Sequence, residues 1–502
     1  MSEEIRILQL GTEDWNDCYQ LPDYVDLTFS ENFTKAPKYA YDLVFVDRPI
    51  KKEEFKALCR ATIVYTLYAT DNAVWDDTMQ EYYARKKGSR IAAETIQEFL
   101  LMEARNYFTN PYGEKFKHKN IAIAQGFTGN VSWNGNYSVV IEGDFGNELN
   151  QIVYWRNNIP VFEGQDIELW LEYEKDADIE IALVVTQFVQ GSISEVQQQW
   201  RFTEKDLDEV VHIDSQMPLG PVFVSLLAKG SGKLSVIALN DRYGRRGHGT
   251  FLPGGQRYVA SNREEIFYYF DPGDFKPPLA VYFSGFKTLQ GFEGVYMMRK
   301  MGCPFLLIAE PRLDGGSFYM GSEEYEAALV DIIRNYMGEL GFTNDQVILS
   351  GLSMGTYGAL YYACDIVPHA LILGKPLASI GDVAKNERLH RPGGFPTSLD
   401  VLQKVSGGSD EEAIRRLNDR FWNKLDATKW NKTKFVLSYM IEDDYDMTAY
   451  QTLLSHVKDS GMKVYGKGIH GRHNDETGAI VAWFKNQYEK ILEEDFSRKV
   501  AN

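Results

Sequence analysis

Residues 346–363 read Gln-Val-Ile-Leu-Ser-Gly-Leu-Ser-Met-Gly-Thr-Tyr-Gly-Ala-Leu-Tyr-Tyr-Ala, with Ser353 at the centre of a G-x-S-x-G turn between Gly351 and Gly355. An apolar run of strand character precedes the turn and a helix-compatible stretch follows it. That order presents a serine at the carboxyl end of an α/β-hydrolase-type sheet. Small residues flank the serine because larger side chains would collide with the neighbouring strand and helix. The new helix begins with unbonded N–H groups close to the point where an oxyanion forms. Ser353 is therefore the expected nucleophile, and the Met354 N–H one oxyanion donor.

Working outward, near-continuous apolar runs recur at 279–286 (LAVYFSGF), 304–310 (PFLLIAE), 370–376 (ALILGKP), 434–442 (KFVLSYMIE) and 462–469 (MKVYGKGI). Helical patterns separate them, most clearly from Glu323 to Leu340. Strands buried on both faces and joined by helices imply a parallel sheet. A catalytic domain is expected over 271–502, opening after the linker DPGDFKPP. The stretch from Lys375 to Lys434, with the loop RPGGFP, reads as a cap insertion over the site.

A serine hydroxyl needs a base, and in this fold the chain order is serine, acid, histidine. Of the histidines beyond the elbow helix, His390 falls in the cap and His456 in a helix. His470 and His473 both follow the last strand, and His473, deeper in the loop, is the expected base. The acid should follow the strand KFVLSYM, where Glu442, Asp443, Asp444 and Asp446 compete. Asp443 is placed at the strand-end position and the other three stay open. The second oxyanion donor belongs to the loop Phe283-Ser-Gly-Phe-Lys287, with the Phe286 N–H as the choice. The loop PRLDGGSFYMGSEEY either lines the pocket or is a flexible glycine-rich turn.

The remainder of the chain changes period twice. Residues 1–115 combine buried strands at 5–10, 42–46 and 63–68 with helices, one of them long, over 89–108, and lack the G-x-G-x-x-G turn of a nucleotide site. This reads as a small, degenerate Rossmann-like α/β domain for docking. Residues 116–270 carry short alternating segments between Gly, Asn and Asp turns, the pattern of a β-sandwich. The segments resemble jelly-roll carbohydrate-binding modules. Trp133, Tyr137, Trp155 and Trp170 are either faces for sugar rings or core.

The net charge of −18 repels phosphate backbones, so nucleic acid is not an expected partner, though Arg242, Arg245 and Arg246 form a local basic patch. No basic, apolar leader and no run of about 20 apolar residues is present. Four scattered cysteines (Cys18, Cys59, Cys303, Cys364) lack zinc or disulfide spacing and read as buried reduced thiols. A cytoplasmic protein without a metal is expected.

The order of these parts, with GLSMGTYGALYYA and the late GRHNDETGAIVAWF, resembles the esterase-like second Asp protein of the accessory Sec system of Gram-positive bacteria. The resemblance implies an O-acetyltransferase acting on N-acetylglucosamine of serine-rich repeat adhesins. It also implies partners, namely companion Asp proteins, the dedicated motor ATPase and the glycosylated adhesin, and a place of work at the membrane periphery. Ser353 and His473 match the family's nucleophile and base, whereas the acid aligns in more than one register. No phosphate-cradling loop for a nucleotide-bearing donor is present, so no tightly bound cofactor is expected and the acetyl donor is unidentified.

Overall fold

The computed structural model describes residues 4–110, 112–162, 164–192, 194–214, 220–430, 432–458 and 460–499. The chain forms two compact units, one of residues 1–134 and 138–255 and the other of residues 135–137 and 256–502.

The first unit holds two sheets. Five parallel strands lie in the order Val25–Ser30, Ile5–Leu10, Leu43–Val46, Leu67–Ala69 and Ser89–Arg90. The all-apolar strand Leu43–Val46 is buried along its whole length, as a central parallel strand must be. The long helix expected over 89–108 is broken. Ser89–Arg90 pair as an edge strand with Tyr68 and Ala69, and the regular helix runs only from Ile96 to Met102. Phe99 faces the core, but Met102 is exposed. Edge pairing satisfied the backbone at Ser89 before a helix could begin.

Ten strands form the second sheet, organised by Gly220–Tyr243, a single strand of 24 residues. The apolar runs PVFVSLLAKG (221–230) and KLSVIALNDR (233–242) therefore belong to one continuous strand. It turns at Gly230 (φ 94°) and Gly232 (φ 136°), where its register with Ser138–Trp155 slips. A side chain at 230 would meet the Asp178 carbonyl at 2.1 Å, so only glycine permits this crossing. Trp155 and Trp170 are buried and unavailable to a sugar, Tyr137 is half-buried, and Trp133 is exposed. The expected basic patch is not a surface feature either. Arg242 and Arg245 are buried, with Arg245 donating to the carbonyls of Asn106, Phe108 and Phe251, and Arg246 pairs with Asp214. Buried carbonyls at chain crossings need donors, and Arg245 supplies them here. All four cysteines are free; Cys303 is buried and Cys18 exposed, so the reading of four buried thiols is corrected.

The second unit is built on eight strands: β1 (Gln256–Val259), β2 (Glu265–Asp271), β3 (Leu279–Phe283), β4 (Phe305–Ala309), β5 (Val347–Leu352), β6 (Ala370–Gly374), β7 (Lys434–Met440) and β8 (Lys463–Ile469). Their order is β1-β2-β4-β3-β5-β6-β7-β8. From β4 to β8 neighbours are parallel, whereas the β1–β2 hairpin adds antiparallel to the β4 edge. The sheet thus begins at residue 256 rather than 271, because this hairpin covers an edge that would otherwise be open. Three helices between β6 and β7, Ile380–Leu389, Thr397–Ser406 and Glu411–Ala427, form the inserted segment. Their Val383, Val401, Leu417 and Phe421 share one apolar core with Tyr357 and Leu360 of the helix that follows β5. No described helix is long and apolar enough to cross a membrane.

Packing at the β5 turn is close. A Cβ on Gly355 would lie 2.1 Å from the Phe283 carbonyl oxygen, and one on Gly351 would lie 2.4 Å from the backbone of Gly355. Neither neighbour is a side chain that can rotate away. Gly355→Ala is expected to destabilise the protein by on the order of 3 kcal/mol. Urea unfolding beside wild type checks this, and an unchanged midpoint would contradict the packing described.

Candidate active site

Strand β5 passes into the helix Met354–Ile366 through Ser353, whose backbone sits at φ 52°, ψ −122°. Non-glycine residues rarely hold this geometry, and the surroundings fix it here. The Ser353 N–H donates to the Gly374 carbonyl at the end of β6 (2.8 Å). Thr356 Oγ1 donates to the Ser353 carbonyl (2.5 Å) and accepts the Leu377 N–H (2.9 Å). The serine is thereby held between two strand ends with its hydroxyl free to face the loops beyond.

Its partner comes from the loop after β8. Ser353 Oγ lies 2.8 Å from His473 Nε2, and His473 Nδ1 lies 2.8 Å from Asp443 Oδ2. A proton on Nδ1, held by the carboxylate, leaves the Nε2 lone pair to accept the serine hydroxyl. Both ring and acid are buried, at 1% and 6% exposure, so water does not compete for these bonds. The other carboxylate oxygen of Asp443 accepts the N–H groups of Tyr445 (2.8 Å) and Asp446 (3.2 Å). Ser353, Asp443 and His473, expected separately from the chain order, are brought into one hydrogen-bonded line.

The acids that stayed open each have another partner. Glu442 accepts from His470 Nδ1 (2.9 Å) and the Gly471 N–H, bonds that hold its carboxyl below the usual range. His470 is itself 85% exposed and far from enclosed. Asp444 accepts the His473 N–H (3.0 Å) and pairs with Arg391. Burial alone would raise its pKa, and these two donors outweigh burial and lower it. Asp446 is buried and accepts the N–H groups of Ala378 and Ser379, both at 2.8 Å. Burial nevertheless pushes its carboxyl up to about 6, with Asp443 adding to the rise.

Two further residues hold the base and escaped the sequence reading. The Tyr445 ring stacks on the His473 imidazole, with centroids 4.3 Å apart and planes at 23°. The buried Lys375, following β6 in a left-handed conformation (φ 58°), donates through Nζ to the Asp475 carbonyl (3.1 Å) and Thr477 Oγ1 (2.9 Å). Burial lowers its pKa, opposed by Asp443 and Asp475. Lys375 therefore pins the end of the His473 loop that runs into the last helix. The only signal in the sequence was a lone lysine next to an apolar strand.

Met354, the first helical residue, has an N–H without an intrahelical acceptor. The loop after β3 packs on the same turn, since a Cβ on Gly285 would lie 3.2 Å from the Leu352 carbonyl. In that loop Gly285 donates to Glu293 Oε2 (2.7 Å) and Lys287 to the Gly315 carbonyl (3.3 Å). Phe286 lies between them, its ring edge-on to Phe395 of the inserted segment at 5.3 Å. The glycine-rich stretch after β4 is held by buried charge. Arg312 bonds Glu310 and Glu264, both at 2.8 Å, and Glu310 accepts the Ser317 and Tyr319 N–H groups. Its Gly315 lines a crevice with Ser284, Gly285 and Lys287. Among the described residues, one group has ligand atoms close enough to hold a cation: Asp166, Glu168 and His212 of the ten-stranded sheet. The Asp166 carboxylate already bonds His212 at 2.9 Å.

The raised pKa of Asp446 has a testable sign. A carboxyl near 6 in the fold and near 4 when unfolded contributes stability that is present in full below about pH 4 and lost as pH rises through 6. Asp446→Asn keeps an acceptor without the charge. The stability of wild type relative to this variant should fall by about 2 kcal/mol between pH 4.5 and 7.5. A difference that does not move with pH, in paired urea titrations, would mean that Asp446 is ionised throughout.

Comparison with known proteins gives the family of the chain. The family described as accessory Sec system GspB-transporter matches residues 5–498. The second Asp protein of the accessory Sec system from Streptococcus gordonii is 37% identical over 512 residues, covering 99% of this chain and 100% of the relative. Its counterpart from Staphylococcus aureus (strain NCTC 8325 / PS 47) is 35% identical over 518 residues, covering 99% and 98%. A chain in the solved Glycosylation Associate Protein (Gap123) complex from Streptococcus agalactiae is 36% identical with a TM-score of 0.87, covering 99% of this chain and 100% of that one. With a family match and two relatives spanning nearly its full length, the chain belongs to the second-Asp-protein family of the accessory Sec system.

Proposed function

We propose that the chain is a serine-dependent O-acetyltransferase that modifies N-acetylglucosamine on serine-rich repeat adhesins during their export. The observation that carries this reading is the buried line Ser353 Oγ–His473 Nε2–Asp443, with 2.8 Å at each step. In the first half-reaction Ser353 Oγ attacks the acetyl carbonyl of the donor while His473 takes the hydroxyl proton. Asp443 stabilises the imidazolium that forms. The Met354 and Phe286 N–H groups receive the developing oxyanion, and the donor's leaving group departs with the proton from His473. In the second half-reaction a sugar hydroxyl replaces the leaving group and regenerates free serine. Water in place of the sugar gives hydrolysis by the same residues.

The family assignment supports the export role, in which companion Asp proteins, the motor ATPase and the glycosylated adhesin are partners at the cytoplasmic side of the membrane. The solved relative sits in a complex named for glycosylation-associated proteins, which is consistent with assembly of this kind. The ten-stranded sheet would hold substrate through exposed residues such as Trp133 rather than through Trp155 or Trp170.

A fluorophosphonate probe is expected to label wild type once, at Ser353, and to leave Ser353→Ala unlabelled. The elbow is held by backbone bonds and glycine contacts, so this variant should lose no more than about 1 kcal/mol of stability. Its acyl transfer should fall by at least about a thousandfold, and adhesin exported beside it should carry no O-acetyl groups by mass spectrometry. A folded Ser353→Ala protein with intact glycan acetylation would overturn the enzymatic reading. His473→Ala should abolish transfer and His470→Ala spare most of it, because His470 contacts Glu442 and solvent, not Ser353. Reversed phenotypes would move the base.

A further inference from the structure

Beside His473 the inserted segment and the acid loop enclose a groove of about 500 Å³, lined by Asn386, His390, Arg391, Asp444, Met447 and Arg472. None of these side chains belongs to the Ser353–His473–Asp443 line, yet three contacts join the groove to it. Asp444 accepts the His473 N–H at 3.0 Å with one carboxylate oxygen and bonds Arg391 with the other. The Arg391 guanidinium lies 4.3 Å from the centre of the Tyr445 ring, and the same ring stacks on the His473 imidazole. Arg472 immediately precedes His473 in the chain. A ligand seated here is joined to the base through Asp444 and Tyr445.

The lining also specifies chemistry. Each arginine is balanced by a carboxylate, Arg391 by Asp444 and Arg472 by Asp475. The groove therefore lacks the excess positive charge that a phosphate requires. Its walls alternate donors and acceptors around the apolar side chain of Met447, which is 69% exposed. Neutral ligands with many hydroxyls, each both donor and acceptor, suit such a wall, and the volume falls in the range of small-molecule sites.

The geometry points to this groove as the acceptor subsite, where a hexopyranose binds with one hydroxyl directed at the acyl-enzyme; this rests on the acyl-transfer reading above. In that step the sugar oxygen forms a bond to the acetyl carbonyl carbon and the carbon–Oγ bond to Ser353 breaks. The hydroxyl proton passes to His473 Nε2 and then to Ser353 Oγ. Arg391 on the groove side and the base itself both rest on the Tyr445 ring.

The test is a partition experiment on full-length protein. The enzyme is acetylated with p-nitrophenyl acetate in the presence of an N-acetylglucosamine-bearing peptide, and transfer is compared with hydrolysis. This ratio is independent of how fast the acyl-enzyme forms. His390 and Met447 are exposed, so His390→Ala and Met447→Ala should fold. Singly each is expected to lower the transfer-to-hydrolysis ratio at least threefold, and together at least tenfold, with the loss overcome by more acceptor. An unchanged ratio in the double variant overturns the subsite. So does a defect confined to acylation by a phosphorylated thioester donor such as acetyl-coenzyme A, which would assign the groove to the donor. Wild type that is acetylated at Ser353 but transfers to no amino sugar would instead remove the parent reading.

Discussion

The chemistry of this protein depends on a backbone turn that would not persist in isolation. Ser353 occupies a left-handed conformation between a strand and a helix, and strain of that kind costs on the order of 1–3 kcal/mol unless the surroundings impose it. The imposition comes from outside the turn. Phe283 of the neighbouring strand crowds Gly355 from below, and the Gly374 carbonyl captures the Ser353 N–H from the other side. The nucleophile is thus aimed by the sheet itself. Rigid strands place it more exactly than a loop would, and the base and acid need only be brought to it.

They are brought by a run of four carboxylates that looks redundant in the sequence and is not. Asp443 faces the imidazole, Asp444 takes the backbone of the same histidine, Asp446 closes the start of the inserted segment, and Glu442 fastens the outer edge of the His473 loop. Each acid answers a different set of N–H groups. Their environments diverge accordingly, with Asp444 held low and Asp446 raised to about 6. Crowding so many carboxylates together is tolerable because nearly every oxygen has a donor.

The parallel sheet and its elbow were legible because they rest on local signals: apolar runs, a G-x-S-x-G turn and helices of the right length. Ser353 and His473 followed from chain order. Choosing among Glu442, Asp443, Asp444 and Asp446 needed the fold, since strand period alone does not say which of several consecutive acids turns inward. Lys375 and Tyr445 were invisible for a related reason, as their partners lie 100 and 28 residues away in sequence. In the ten-stranded sheet Gly230 and Gly232 mark a bend within one strand rather than a break between two, and register with three neighbours decides the matter. The hairpin at 256–271 falls in the span that reads as β-sandwich because it precedes the linker DPGDFKPP, and only its pairing with β4 shows which sheet it joins.

The inserted segment has a topological burden beyond covering the site. Strands β6 and β7 are adjacent and parallel, so the chain must travel from the carboxyl end of one to the amino end of the other. The helix Glu411–Ala427 makes that return journey and buries Leu417, Phe421 and Leu425 in the main core. The first two inserted helices carry no such obligation. Residues 380–406 can therefore vary at their exposed positions, while Val383, Val401 and Leu402 hold them on the same core as the third helix.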